Sequence, residues 1–500
     1  MFFLGIDSGT QSTKAVLLDF ESGKIVSSGQ SAYDLIAGLP PGHLEQHPDT
    51  WTAAADAAVR ECLAGAPAGA AGAVAGIGVS GQQHGLVALD ADDRPVRPAK
   101  LWCDTSTQRQ CEEIAHEFGG HPGLIALAGN AMLPGYTIPK LLWMKQNEPE
   151  HFAATRTILL PHDYLNFWLT GVKRMEYGDA SGTGILDVRK REWCWEIVDF
   201  IDGRTREMLP PLGSSLAAHG ELRRELAEAW GLPDGVIVSA GGGDNMMGAI
   251  GTGNVKPGVI TASFGTSGTL YGVAAAPVVD GQGEVAAFCD STDQWLPLVC
   301  TMNVTVVTEQ VRELFGWDHA RLEAEVAAAP AGAGGVTFLP YLNGERTPNL
   351  PAGTGVIHGL RPGNLEPGML ARAAVEGATL GLAYGMKRFR DLGMNPAEIR
   401  LTGGGSRSAV WRQIAADCFR AEVVTLATSE GAALGAAIQA AHSRLAADGG
   451  APDYEVLCER LVCLDEGTRA VPNAERSALY AELLERQSDL TSQLHQTGWL

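Results

Sequence analysis

Leu4-Gly5-Ile6-Asp7-Ser8-Gly9-Thr10-Gln11-Ser12-Thr13-Lys14 opens the chain as an apolar run that breaks into a polar turn. Residues 2–6 read as a buried strand, 7–14 as a hairpin tip and 15–18 as the returning strand. The tip gathers one carboxylate with two Ser, two Thr and a Gly. Such a set suits a phosphate with its divalent cation: donors take the phosphate oxygens, and the Asp takes the metal or its waters. A polar hairpin turn has the same composition, so the tip alone decides little.

It decides more because it recurs. A strand at 259–264 runs into Gly265-Thr266-Ser267-Gly268-Thr269 and returns at 270–273, half a chain later. Two such hairpins predict a duplicated α/β chain of two domains, at 1–252 and 253–500, closing on one nucleotide from both sides. A third element, Thr402-Gly403-Gly404-Gly405-Ser406-Arg407-Ser408, lies between a strand signal at 398–401 and a helix over 409–419. Its glycines suit a flat ring laid against backbone, or an anion at the helix N-terminus. Mid-chain, Gly241-Gly242-Gly243-Asp244-Asn245 follows a strand at 236–238. Three glycines there leave room for a bulky ligand, and Asp244 at the mouth of the turn is the candidate catalytic base.

Five hundred residues exceed what one core usually supports. With 37 basic and 58 acidic side chains the net charge is −21, which argues against nucleic acid or an anionic membrane as a partner. An anionic ligand must then be held by backbone N–H groups and a metal. Nine scattered cysteines without a CxxC match neither a disulfide framework nor a zinc site. No apolar run reaches bilayer length, and MFFLGIDSGT lacks a basic leader. The expected compartment is the cytoplasm. A Walker A pattern is absent from the sequence, so a P-loop kinase is excluded.

LGIDSGTQSTK, SFGTSGTL and LTGGGSRS, in this order, resemble the two phosphate motifs and the adenosine motif of the sugar kinase/hsp70/actin superfamily. Within it the chain is similar to the FGGY carbohydrate kinases: GYTIPKLLWM at 135–144 and the stretch 403–424 match that family's two signature regions. The resemblance implies two ribonuclease-H-like (actin-like ATPase) domains around a cleft for ATP, Mg²⁺ and a sugar, and makes a homodimer plausible. The activity it implies is transfer of the ATP γ-phosphate to a sugar hydroxyl. Its closest likeness is to the members that convert D-xylulose to D-xylulose 5-phosphate. Ribulose, gluconate or glycerol kinases and a non-catalytic nucleotide-binding relative are the alternatives, and retention of both Asp7 and Asp244 speaks against the last.

The resemblance also assigns roles. Asp244 is the base and Asn245 holds the sugar beside it; Asp7 holds Mg²⁺. Thr10, Gln11, Ser12 and Lys14, with Gly265 and Thr266, contact phosphates. Gly403, Gly404, Gly405 and Ser408 carry adenosine, Ser408 standing where many members have Asn. Gly76-Ile77-Gly78-Val79-Ser80-Gly81 fits GxGxxG literally, but its alternating Ile77 and Val79 mark a strand, and no helix follows. The strand end instead presents Gln82-Gln83-His84-Gly85, placing Gln83 and His84 at the sugar. Trp102 offers the sugar an apolar face and Asp104 a hydroxyl partner, with Thr105-Ser106-Thr107 where many relatives carry Arg.

Other stretches read as scaffold. His43 and His47 lie four apart before Pro48 and are not expected to bind metal. The segment Asp179-Ala180-Ser181-Gly182-Thr183-Gly184 resembles a family stretch near the cleft, without an assigned role. Glu345 and Arg346 are expected to pair with each other or a neighbour. Helices are expected from 49, over 368–391, over 430–442 and from 473.

Overall fold

The computed structural model describes residues 1–428 and 430–500. The chain forms two compact units, each built from more than one segment. The first comprises Met1–Val255, Ala274–Pro297 and Glu430–Val462. Its strands are β1 (Phe2–Ser8), β2 (Ser12–Asp19), β3 (Lys24–Ala32), β4 (Val74–Gly81), β5 (Gly220–Glu221), β6 (Ile237–Val238) and β7 (Gly242–Gly243). They make one sheet in the order β5-β6-β4-β1-β2-β3, with β7 also pairing β4. β1, β2 and β3 are antiparallel neighbours, whereas β1, β6 and β7 run parallel to β4.

Alternation along the strands assigns the two faces. Leu4, Ile6, Leu17, Ile77 and Val79 pack with Trp51, Ala55, Val59 and Cys62 of the helix Pro48–Ala64. Phe3 and Leu18 point to the other side, against Met247 and Ile250 of the helix Asp244–Gly251 and Leu434, Ala437 and Ala441 of the helix Gly431–Ala447. The result is a sheet with a helical layer on each face.

The helix Gly431–Ala447 lies almost on the backbone of the sheet. Gly5 and Gly78 are register partners in β1 and β4. A Cβ on Gly5 would meet the carbonyl oxygen of Ala433 at 1.9 Å, and one on Gly78 that of Ala436 at 1.9 Å. No other residue allows that approach. The expected linear boundary at 252/253 therefore differs from the compact units in two places. Residues 430–462 pack into the first unit through these glycine contacts, and 274–297 join it through hydrogen bonds such as Asn130 Nδ2 to the Ala287 carbonyl, 2.7 Å.

The second unit comprises Lys256–Val273, Leu298–Ser429 and Cys463–Leu500. Its strands are β8 (Val259–Phe264), β9 (Gly268–Tyr271), β10 (Leu298–Thr301), β11 (Glu398–Thr402), β12 (Glu422–Leu426) and β13 (Leu464–Ala470). The order is β10-β9-β8-β11-β12-β13. Three antiparallel strands, two parallel additions and an antiparallel edge repeat the pattern of the first unit. Both units thus have the ribonuclease-H-like arrangement. The helices Pro367–Asp391, Ala409–Phe419 and Ala474–Gln496 belong to this unit. Among the described residues no helix is long and apolar enough to cross a membrane.

Candidate active site

Both hairpin tips are tighter than the residue pattern suggests. β1 and β2 extend to Ser8 and from Ser12, so Asp7 and Lys14 are strand residues and face each other in register. The parallel ladder then sets the site. Asp7 pairs with Ser80 in β4, and Ser80 pairs with Gly242 in β7. Two residues past Gly242, Asp244 opens the helix Asp244–Gly251. Asp7 and Asp244 are therefore delivered to the same carboxyl end of parallel strands, the usual place for ligands in such sheets.

The two carboxylates are held by different partners. Ser80 donates its hydroxyl to Asp7 Oδ1 at 2.8 Å. Asp244 Oδ1 accepts from Asn245 N at 2.8 Å and Asn245 Nδ2 at 2.9 Å. Among the described residues the Oδ2 of each has no protein donor. Burial pushes the Asp244 carboxyl up to about 7, helped by the negative charges of Asp7 and Asp179 and opposed by its bonds to Asn245. Burial also raises Asp7, against the Ser80 bond and the charge of Lys14. Two carboxyls with raised proton affinity and uncommitted oxygens suit a proton acceptor beside a cation ligand.

Amides connect this pair to the end of β4. Asn245 Nδ2 donates to Gln83 Oε1 at 2.7 Å, and Gln83 Nε2 lies 3.2 Å from Met246 Sδ and 3.5 Å from Asp179 Oδ1. Asp179 Oδ2 is 2.7 Å from His162 Nδ1, and Asp163 Oδ1 lies 3.0 Å from His162 Nε2. Burial alone would lower the His162 imidazolium, but the two carboxylates hold it well above the ordinary range. The glycines at 241–243 serve this packing rather than a bulky ligand, which corrects the expectation. A Cβ on Gly241 would stand 2.8 Å from Asn166 Nδ2, one on Gly242 2.4 Å from Ser291 Oγ, and one on Gly243 2.5 Å from Gln83 Cγ.

His84 follows with φ +65°, a left-handed conformation uncommon outside glycine. Its carbonyl accepts from Thr137 Oγ1 at 3.1 Å and from Lys140 Nζ at 2.8 Å. Lys140 also donates to the Gly135 carbonyl. Burial pushes the Lys140 ammonium down to about 7, against the charge of Asp104. The imidazole of His84 meets Tyr136 and Phe288 at centroid distances of 5.1 and 5.7 Å.

Trp102 and Asp104 separate in role. Trp102 Nε1 donates to Thr10 Oγ1 at 3.0 Å, tying the 101–107 loop to the first hairpin. Asp104 is fully buried and accepts from Leu44 N, Lys100 Nζ, Ser106 N and Ser106 Oγ at 2.5–3.1 Å. Burial raises its carboxyl, but these bonds outweigh it and keep the group below the ordinary range. Its expected sugar contact is corrected: both oxygens are consumed in holding the loop. Lys100 Nζ also lies 3.1 Å from Glu45 Oε1 and 3.2 Å from His43 Nδ1. An ammonium thus fills the space among His43, Glu45 and Asp104. His47 instead caps the helix Pro48–Ala64 through Asp49 N.

At the first tip, Gln46 Nε2 donates to the Thr10 carbonyl at 2.7 Å, and Gln30 Nε2 donates to Ser12 Oγ at 3.1 Å. Tyr33 braces the turn from below: its hydroxyl donates to the Gly9 carbonyl at 2.6 Å and its N–H to the Gln11 carbonyl at 2.9 Å. Lys14 Nζ pairs with Glu430 at 3.0 Å.

In the second unit, Gly265 and Thr266 form the tip between β8 and β9, and their carbonyls accept from Thr305 N and Val304 N. Gly403 has φ +83° and packs on the Phe264 backbone, and Gly405 packs on Phe264 and Trp411. A Cβ on Gly404 would meet nothing within 4 Å. Ser408 Oγ accepts from Trp411 N at 3.0 Å as the N-cap of the helix Ala409–Phe419, and donates to Glu323. The expected adenosine contact at Ser408 is corrected on that ground: the hydroxyl is committed to the cap. Glu345 accepts from Met302 N, Asn303 Nδ2 and Arg346 N, so it pins the 302–303 turn.

The family models for the N-terminal and C-terminal domains of the FGGY family of carbohydrate kinases match residues 2–251 and 260–444. The chain belongs to that family. It is 44% identical to a xylulose kinase of Haemophilus influenzae, over 99% of this chain and 100% of the relative. It is 38% identical to a xylulose kinase of Streptomyces rubiginosus, over 88% and 87%. The solved xylulose kinase of Brucella ovis superposes with a TM-score of 0.92 at 33% identity, covering 99% of this chain and all of the other. This FGGY kinase is accordingly a phosphotransferase with an alcohol acceptor and ATP as donor.

Sequence reasoning brought together Asp7, Asp244, Asn245, Gln83 and His84 of this kinase. It passed over Ser80, His162 and Lys140, and left Asp179 without a role. Ser80 carried a signal, a polar residue at a strand end next to glycine; His162 carried none, because only the fold sets it between two carboxylates.

Proposed function

We propose that this FGGY kinase transfers the γ-phosphate of ATP to D-xylulose, forming D-xylulose 5-phosphate, with Asp244 as the base. The observation that carries the reading is the delivery of Asp7 and Asp244 to one strand end, each with an oxygen that no protein donor uses among the described residues. The choice of sugar draws on the two xylulose kinases of 44% and 38% identity.

Phosphoryl transfer asks for positioning and charge neutralisation more than covalent help. Asp244 accepts the proton of the attacking hydroxyl through the oxygen that Asn245 leaves free. Asn245 and Gln83, already bonded to each other, and His84 hold the ketose, while Trp102 gives it an apolar face. Asp7 fits Mg²⁺: it offers Oδ2, and its other oxygen is braced by Ser80. It would hold the ion directly or through water, and the ion, when bound, neutralises phosphate charge. Thr10, Gln11, Ser12 and Lys14 take phosphate oxygens; in the second unit Gly265 and Thr266 do the same, and Gly403, Gly404 and Gly405 carry adenosine, Gly404 being the open position. The reading places the protein in the cytoplasm, where its nine free thiols stay reduced, and allows a homodimer.

ADP release from MgATP is measured against D-xylulose, L-xylulose, D-ribulose, L-ribulose, gluconate, glycerol and a blank without sugar. Turnover with D-xylulose well above the rest is expected. Preference for another sugar overturns the substrate, and silence across the panel with ATP still bound overturns the catalytic reading.

A further inference from the structure

The segment Asp179–Gly184 is given no contact with substrate in the chemistry above, yet it touches both members of the Gln83-His84 pair. Gly182 lies in a short 3-10 turn, Ser181–Thr183, and its φ is not in the left-handed region. The backbone itself does not require glycine there. A Cβ at this position would stand 2.2 Å from His84 Nδ1 and 2.3 Å from His84 Cε1, and the third nearest atom, at 3.6 Å, is His84 Cγ. The three atoms nearest the missing side chain all belong to one imidazole.

That imidazole is fixed from several directions. Its residue holds a left-handed backbone, its carbonyl is gripped by Thr137 and Lys140, and its ring packs against Tyr136 and Phe288, which also meet each other. A strained residue braced this heavily points to a function that depends on its position. Three residues earlier, Asp179, oriented by His162, faces the amide of Gln83.

We propose that Gly182 is a specificity-determining position: by leaving its Cβ space to the His84 ring, it sets where that ring meets the ketose hydroxyls. Asp179 acts as a positioning residue for Gln83 from the same segment. The inference rests on the reading of His84 as a sugar contact. Gly182 touches no substrate; it acts through His84, so its effect must vanish when the ring is gone.

The test is a double-mutant cycle of Gly182→Ala and His84→Ala, reading kcat and KM for ketose and for MgATP. Gly182→Ala should raise the ketose KM about tenfold or more, since misplacement by an ångström is costly, with the MgATP KM within about twofold. In the His84→Ala background, adding Gly182→Ala should change the ketose KM by less than about twofold. Equal effects in both backgrounds, or no effect in the wild type, overturn the proposal. If Gly182→Ala alone misfolds, the double variant decides: kinetics like those of His84→Ala alone support the proposal, and a misfolded double variant overturns it. A wild-type protein that turns over ketose while the cycle is additive defeats only the role of Gly182. One that turns over no ketose defeats the underlying reading as well.

Discussion

Asp7 lies on β1 and Asp244 opens the helix that follows β7, more than two hundred residues later, and the charge of Asp7 adds to burial in pushing the Asp244 carboxyl up to about 7. Ser80 stands between them in the ladder, paired with Asp7 on one side and Gly242 on the other. Proton affinity and placement are thus set by the same three strands.

Asp244 must be ionised to accept a proton, so kcat/KM should fall as pH drops through about 7, close to tenfold per unit below it. Asp244→Asn should lose about 10²–10⁴-fold in kcat. The sign for stability is opposite. A carboxyl raised in the fold contributes stability that is full below its unfolded pKa and is lost as pH rises through about 7. The Asn variant should therefore unfold at a higher denaturant concentration than wild type at pH 8. An Asn variant that is inactive and also less stable at pH 8 would point to misfolding instead.

Asp7→Ala removes the carboxylate assigned to the metal. The Mg²⁺ concentration giving half-maximal rate should rise roughly 10–100-fold, with kcat falling in parallel and ketose binding by calorimetry unchanged. An unaltered Mg²⁺ titration would count against the assignment.

Ser408→Ala distinguishes a cap from a nucleotide contact. Loss of the bond to Trp411 N should cost about 1 kcal/mol of stability, read from denaturant unfolding of the second unit. The KM for MgATP should stay within about twofold. A large rise in that KM with unchanged stability would restore the adenosine role.

What the residues made legible was the local chemistry of turns. The hairpin tips, the glycines at 403–405 and the Asp after Gly243 are short patterns whose meaning depends on a few neighbours, and the helix boundaries at 409–419 and near 368–391 follow from period and caps. What stayed hidden needs contacts between distant segments. Asp104 looks the same in sequence whether it faces a sugar or Lys100, and only burial beside Lys100 and Leu44 decides. The glycines at 241–243 looked like room for a ligand because the side chains that fill it arrive from residues 83, 166 and 291. Ser408 looked available because its acceptor, Glu323, is 85 residues away.

The helix over Gly5 and Gly78 also has a consequence for how the protein is made. Gly5 and Gly78 leave the ribosome more than three hundred residues before the layer that covers them, Gly431–Ala447. Phe3 and Leu18 must wait for Leu434, Ala437 and Ala441 while the entire second hairpin and adenosine motif are synthesised, with only Met247 and Ile250 of their cluster's helical layer already made. Folding of the first unit is therefore completed only after residue 447 has been made, and a nascent chain truncated before residue 431 presents a partly uncovered sheet to chaperones and proteases.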